Sequence, residues 1–556
     1  VSGVFQQPAR SGNGVVERKL RCSAIFLILG GLLLSACGGG SGGGGVDAET
    51  STSRYFERIR DNAGLERAFL NLMPKGGDIH NHLSGAVLAE SYIQWAAELN
   101  DCVCVNQTCG ASDTQYTIKV PAQSPPACDP AAGLAPVAQS IQDPNFYNAM
   151  IDALSMRNFI PGAESGHNHF FATFAKFGAI SGVKTGPMLA QVASIWHAGN
   201  VKYLELMLSL AGGGGARRIL SGMTWDPTQM QQLFTYLINH PAFAGYLNQG
   251  TADLNNAEAQ MRSALGCDSA QADPACKDET IRYIYQVTRT QAPILVFATA
   301  VYGFELAAAD HRVVGVNLVA PEDDPVALSD YLTQMQIFDF LSQAVPGVKI
   351  SLHAGELTPE FAPLADLRFH IRAAVETGQA SRIGHGVDIQ YEDAWPQLMS
   401  EMAQEQRLVE ICLTSNDYIL RVSGPEHAFE TYRSYGVPPT LATDDAGISR
   451  IDLTHEYQRA ADSYQLHYVD LKDLARNSLE YDFLPGKSLW KSTVPFIRTD
   501  ECRHDSPRAR RILRPVRICS TRASTLASNG SWKPTSHRLK AASRAPIRPP
   551  LLPKPT

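Results

Sequence analysis

From about Ser51 to Trp490, short runs of β-branched residues are separated by longer stretches whose apolar positions recur every three to four residues. The short runs predict strands at Asp78–His82, Lys202–Leu208, Ile294–Ala300, Val313–Val319, Val348–Leu352, Arg382–His385, Leu408–Leu413 and Thr440–Thr443. The longer stretches predict helices at Asp324–Gln343, Phe361–Thr377, Ala394–Glu405 and Leu471–Tyr481. Strands alternating with helices, eight strands in all, predict an α/β fold, a (β/α)8 TIM barrel with functional groups at the carboxyl ends of its strands. The first three connections are long enough to hold insertions.

Two segments break the alternation. Near the start, Arg18, Lys19 and Arg21 precede an apolar run from Ala24 to Leu34 that is short for a membrane span. It ends in Leu34-Ser35-Ala36-Cys37, which is similar to the lipobox of bacterial lipoproteins. The expectation is a signal peptide over 1–36, lipid on Cys37 and a Gly/Ser-rich tether over 37–50; the rival is a cleaved secretory signal that happens to contain Cys. The chain is then exported and membrane-anchored on the periplasmic or cell-surface side. At the other end, residues 491–556 turn into Arg, Pro and Ser without apolar period and read as a disordered or non-native tail rather than a basic arm for anionic surfaces.

Composition narrows the class. With 44% hydrophobic and 19% charged residues the chain is globular, neither disordered nor fibrous. From Arg498 onward there are 14 Lys and Arg against 3 Asp and Glu, a net +11, so the −7 of the whole chain leaves −18 for the rest. An acidic body argues against a nucleic-acid partner.

Export makes disulfides available to the 11 cysteines. Cys102, Cys104, Cys109 and Cys128 lie in an aperiodic stretch of about 100–140 and predict a stapled insertion after strand 1, with three connectivities open and a Cys102–Cys104 bridge disfavoured by their spacing. Cys267 and Cys276 predict a further bridge. A zinc ribbon lacks its paired C-x-x-C knuckles here.

Chemistry collects at the predicted strand ends: His80-Asn81-His82, His353-Ala354-Gly355-Glu356, Gly384-His385-Gly386 and Thr443-Asp444-Asp445. Side chains two apart on a strand share a face, so His80 and His82 can reach one ion. Three imidazoles and one carboxylate suit zinc with a position left for water. His167-Asn168-His169 repeats the triplet, but the aromatic run after it predicts a helix, where i and i+2 diverge; it is left out of the metal site and could at most line the substrate mouth.

The stretch Met73 to Ala86 (MPKGGDIHNHLSGA), with HAGE at 353–356, RIGHG at 382–386, LTSN at 413–416 and TDDAG at 443–447, resembles the adenosine deaminase family over about 400 residues. The export signal and cysteine-bearing segment resemble its secreted branch, the adenosine deaminase-related growth factors, in a bacterial lipoprotein form. That resemblance implies one Zn2+ held by His80, His82, His353 and Asp444, activating a water that attacks C6 of a purine nucleoside. His385 orients or deprotonates that water, Glu356 protonates N1, Asp445 holds N7 and the Gly315 backbone meets N3, giving inosine and ammonia from adenosine or 2′-deoxyadenosine. A homodimer is left open. Ser84 stands where many relatives carry an Asp that contacts the ribose 5′-hydroxyl, Ala446 replaces a Pro, Asn317 replaces an Asp, and the Arg that often follows the Glu205 position is absent. Other aminopurines such as adenine, or a surface binding protein acting through the cysteine insertion, are the alternatives. A dinuclear hydrolase would want a Lys at the end of strand four, where Val313–Val319 has none, and the His-or-Cys-x-Glu and Pro-Cys-x-x-Cys pattern of cytidine-type deaminases is missing.

Overall fold

The computed structural model describes residues 47–110, 113–121, 127–278 and 280–500. The signal peptide, Cys37 and the tail beyond residue 500 lie outside the described residues. Of the first 54 residues the described part is helical from Ala48, in a helix running Ala48–Ile59.

Beyond it, eight parallel strands pair in sequence order: β1 (Gly77–His82), β2 (Tyr203–Leu208), β3 (Thr280–Thr288), β4 (Val313–Val319), β5 (Lys349–Ala354), β6 (Arg382–His385), β7 (Leu408–Ile411) and β8 (Pro439–Leu441). The ring closes where His82 N–H donates to the Asp444 carbonyl and Asp444 N–H donates to the His80 carbonyl, each at 3.0 Å, around an Asn81–Asp444 bridge. The last strand is therefore tied to the first by the residues expected to carry the chemistry. Asp78 reinforces the seam, accepting from Thr443 Oγ1 at 2.7 Å and Trp196 Nε1 at 2.9 Å.

One predicted strand is a helix. Ile294–Ala300 lies in the helix Pro293–Ala309, which starts with Pro in its first turn and is buried on nearly every side. A helix covered all round loses its amphipathic period, so its β-branched opening reads as a strand. The true third strand is Thr280–Thr288. Its Tyr283, Tyr285 and Val287 face the surrounding helices, while Ile284 joins Met207, Val319 and Phe483 inside the barrel. The predicted helix Phe361–Thr377 shrinks to a 3-10 turn at Asp366–Arg368 and a helix at His370–Glu376, because Pro363 biases its predecessor away from helical geometry.

After β1, Cys102–Cys104 is the centre of a three-stranded antiparallel sheet with Ile118–Lys119 and Leu134–Pro136. Cys102 bonds Cys128, Cys104 bonds Cys109, and Cys267 bonds Cys276. Val103 and Ile118 turn inward and merge with the main core, so the insertion shares apolar packing with the barrel. At the other end the boundary expected at 490 falls inside a hairpin, Trp490–Thr493 with Phe496–Arg498, whose Trp490 and Phe496 rings both pack on the Arg476 guanidinium.

Candidate active site

The carboxyl end of β1 turns His80 and His82 to the same side, β5 brings His353, and the loop after β8 brings Asp444. His82 Nε2 lies 3.1 Å from His353 Nε2 and 3.2 Å from Asp444 Oδ1; His80 Nε2 lies 3.5 Å from Asp444 Oδ1. A tetrahedron with metal–ligand bonds of about 2.0–2.1 Å has edges of roughly 3.3 Å, so these atoms stand where ligands of one ion would. The buried Nε2 of His80 has no hydrogen-bond partner among the described residues, which leaves its lone pair open to an ion. Metal-ligand geometry groups His80, His353, His385 and Asp444, and separately His82, Asp444 and Asp445.

The opposite ring nitrogens are held. His80 Nδ1 is 2.6 Å from Glu410 Oε2 and His353 Nδ1 is 2.8 Å from Asn317 Oδ1, while His82 Nδ1 is 3.3 Å from the Gln286 amide nitrogen Nε2. Asn317 Oδ1 also accepts the His353 backbone N–H at 3.2 Å, which proves that its oxygen faces the ring. For His80 and His353 the acceptor at Nδ1 puts the proton there and leaves Nε2 free to ligate.

The field at this point favours a cation. Burial alone lowers the His80 pKa, yet the Asp444 and Glu410 carboxylates beside its two nitrogens outweigh that and carry it up to about 10. Burial raises the Asp444 carboxyl, and the His80 and His82 rings outweigh that and hold it well below the usual range. A divalent ion would satisfy the same carboxylates. Asp444 (φ 55°) and His385 (φ 69°) occupy the left-handed region that non-glycine residues rarely take, the kind of local strain found at functional sites.

Glu356 and Asp445 behave as acids. Burial, then Asp444 and Glu322, push the Glu356 pKa well above the carboxylate range; burial, then Asp444, do the same to Asp445. Both are pushed toward the protonated form, in which a carboxyl can donate. Glu356 is positioned through its backbone: Glu322 accepts the N–H of Gly355 at 3.1 Å and of Glu356 at 2.9 Å, while His370 Nδ1 sits 2.6 Å from the same carboxylate.

These groups line a cavity of about 340 Å³. Its polar side holds His82, Ser84, Gln286, His353, Glu356, His385, Asp444 and Asp445; its apolar wall holds Phe170, Phe171, Phe174, Val319, Pro321 and Ile419. A larger hollow of about 760 Å³ opens at the other end of the barrel around Lys349, Arg407 and Phe483 and contains none of this chemistry.

Gly315 is a correction: it is the third residue of β4, its open side faces Phe483 and the Lys349 carbonyl, and it does not line the cavity. Four residues at about 3.3 Å each separate it from the strand's carboxyl end. Ala320, with φ 87°, is the first residue after β4 and does line it. His167 and His169 diverge on the helix Gly166–Ser181, as its period requires. His167 Nε2 lies 2.9 Å from Asp323 and stacks on Phe361, and His169 Nε2 lies 3.0 Å from the Ser155 carbonyl. The phenylalanines that follow them build the apolar wall. Unanticipated from sequence were Gln286, Glu322, Glu410 and His427; the lone acidic residue in the apolar β7 run Leu-Val-Glu-Ile was a visible signal for Glu410.

Residues 250–491 match the sequence model of the family described as adenosine deaminase. The adenosine deaminase of Aliivibrio fischeri (strain MJ11) is 39% identical over 132 residues, 22% of this chain and 39% of the relative, and that of Shewanella loihica is 35% identical over 139 residues, 25% and 39% respectively. The chain thus spans about two fifths of the length of these curated relatives. Among solved structures, an adenine deaminase from Arthrobacter aurescens superposes with a TM-score of 0.45 at 15% identity, covering 74% of this chain and 94% of that one. The stretch 250–491, which brings His353, Glu356, His385, Asp444 and Asp445 to the cavity that β1 completes, is similar in sequence to the family described as adenosine deaminase.

Proposed function

We propose that this chain is a zinc-dependent hydrolytic deaminase converting adenosine and 2′-deoxyadenosine to the corresponding inosines and ammonia, in an exported form similar to the growth-factor-related branch. The observation that carries the reading is a buried carboxyl, Glu356, in one cavity with three imidazoles and the Asp444 carboxylate, where burial favours its protonated form. One ion held by His80, His82, His353 and Asp444 supplies Lewis acidity for a water nucleophile. Glu356 donates its proton to ring N1, which makes C6 electrophilic; Asp445 donates to N7 and so fixes the face presented. The contact expected from Gly315 passes to the backbone at Ala320. The phenylalanine wall covers the purine and excludes water. No Lys or Arg lines the cavity among the described residues, so it suits a neutral nucleoside or base better than a nucleotide.

The test is loss of the adenosine absorbance band by purified protein, with adenosine, deoxyadenosine, adenine and adenosine monophosphate compared with and without a chelator. Chelator-sensitive turnover of the nucleosides is expected. Faster turnover of adenine or the monophosphate overturns the substrate, and no turnover of any of them overturns the activity. The same reading has lipid at Cys37, so Cys37→Ser moves the protein from the membrane to the soluble fraction; unchanged partition removes the anchor.

A further inference from the structure

A directed chain of hydrogen bonds ends on His385, and its direction can be read because it begins at a backbone amide. The Phe429 N–H donates to His427 Nδ1 at 3.1 Å. A backbone N–H is only ever a donor, so that nitrogen is unprotonated and the ring carries its single proton on Nε2. His427 Nε2 lies 3.0 Å from Asn416 Oδ1 and donates to it. The Asn416 amide is thereby oriented, and its NH2 faces His385 Nδ1 at 3.0 Å. His427 and Asn416 are buried, away from water that could break the sequence. Burial lowers the His427 pKa to about 4, in keeping with a neutral ring.

We infer that Asn416 and His427 are positioning residues that hold His385 as the Nε2–H tautomer, making it a hydrogen-bond donor toward the reacting water and excluding it from the metal shell. The inference rests on the deaminase reading for the identity of that water. Donation by Asn416 requires a lone pair on His385 Nδ1, so the ring's proton sits on Nε2, which has no partner among the described residues and points into the ligand cluster. A nitrogen bearing hydrogen neither ligates nor takes up a proton, so His385 orients the water. Among the described residues the rival partner of Nδ1 is Glu356 Oε1 at 3.6 Å, beyond hydrogen-bond length. His80 and His353 have acceptors at Nδ1, whereas His385 and His82 each face an amide nitrogen there; the Asn416 amide is fixed by His427, while the Gln286 amide has no second side-chain hydrogen bond among the described residues to fix which way it turns. Of the two candidates for the remaining imidazole ligand, His82 is the one whose amide partner is free to turn its oxygen to Nδ1.

Neutron diffraction from perdeuterated, zinc-loaded protein reads the proton directly. Deuterium is expected on Nε2 of both His427 and His385 and on neither Nδ1; deuterium on His385 Nδ1 with the Asn416 amide reversed overturns the relay. Asn416→Asp is an isosteric reversal, since a carboxylate accepts where the amide donated, and should move the His385 proton to Nδ1 in ring ¹⁵N spectra; an unmoved proton overturns the role of Asn416. His385→Gln should keep one zinc per chain while His82→Gln loses it, and equal loss in both overturns the exclusion of His385. None of these readouts needs turnover, so an inactive protein with the expected protons would refute the substrate and leave the relay standing.

Discussion

Replacing Glu410 by Gln removes one buried charge at nearly constant volume, and the groups around Glu410 set the consequence. The carboxylate meets His80 Nδ1 at 2.6 Å, accepts from Ser351 Oγ at 3.0 Å and pairs with Arg382 Nε at 2.5 Å. His80 and Arg382 both bring donors, and an amide has one oxygen, so in Glu410→Gln the NH2 must oppose one of them. Breaking a buried pair outright costs about 3–5 kcal/mol. Arg382 keeps Glu205 at 2.5 Å, the Tyr481 carbonyl at 3.0 Å and the Phe483 ring at 3.6 Å, so a loss nearer ~2 kcal/mol is expected. At the site, an outer partner of a ligating His is worth roughly 10- to 100-fold in metal affinity, or ~1.4–2.7 kcal/mol. Competition for zinc against a chromophoric chelator measures the second figure, and urea unfolding of the metal-free protein the first. Unchanged zinc affinity would refute the claim that Glu410 orients His80, and lost stability alone would mean that Glu410 serves only Arg382.

Glu356→Gln keeps the shape but not the acidic proton, so zinc content should hold while turnover falls about 10²-fold or more; parallel loss of zinc in metal analysis would make Glu356 a ligand. His427 prefers its neutral form when folded, with a pKa near 4 against an ordinary 6.5, so its contribution is intact above pH 6.5 and is lost as pH falls toward 4, about 3 kcal/mol in all. His427→Gln should flatten that acid limb in denaturant titrations across pH, and an unchanged slope would contradict a neutral His427. Reduction should open the insertion before the barrel: the Cys102–Cys128 bridge closes a 26-residue separation worth about 3.5 kcal/mol in the chain-entropy picture, and no proposed ligand lies within it. Hydrogen exchange should rise over 101–136 with zinc retained; simultaneous zinc release would place the insertion in the catalytic core.

Much of this protein is legible in its residue order. A strand's period of two puts His80 and His82 on one side, a helix's period of 3.6 separates His167 from His169, and runs such as Val313–Val319 and Arg382–His385 carry strand character without help. Short-range periodicity fails where burial is complete. The helix Pro293–Ala309 has no polar face to betray it, and it hides the true strand Thr280–Thr288 beside it. Registry is beyond the one-dimensional pattern as well: Gly315 lies within β4 and Ala320 just after it, and only the barrel's depth puts one beside Phe483 and the other in the cavity. Ring closure decides the rest. Hydrogen bonds across 330 residues from His80 to Glu410, and across 362 from Asn81 to Thr443, exist only once the last strand meets the first. The proton positions of the histidines depend on those partners, because an imidazole's tautomer is set by the group facing its other nitrogen.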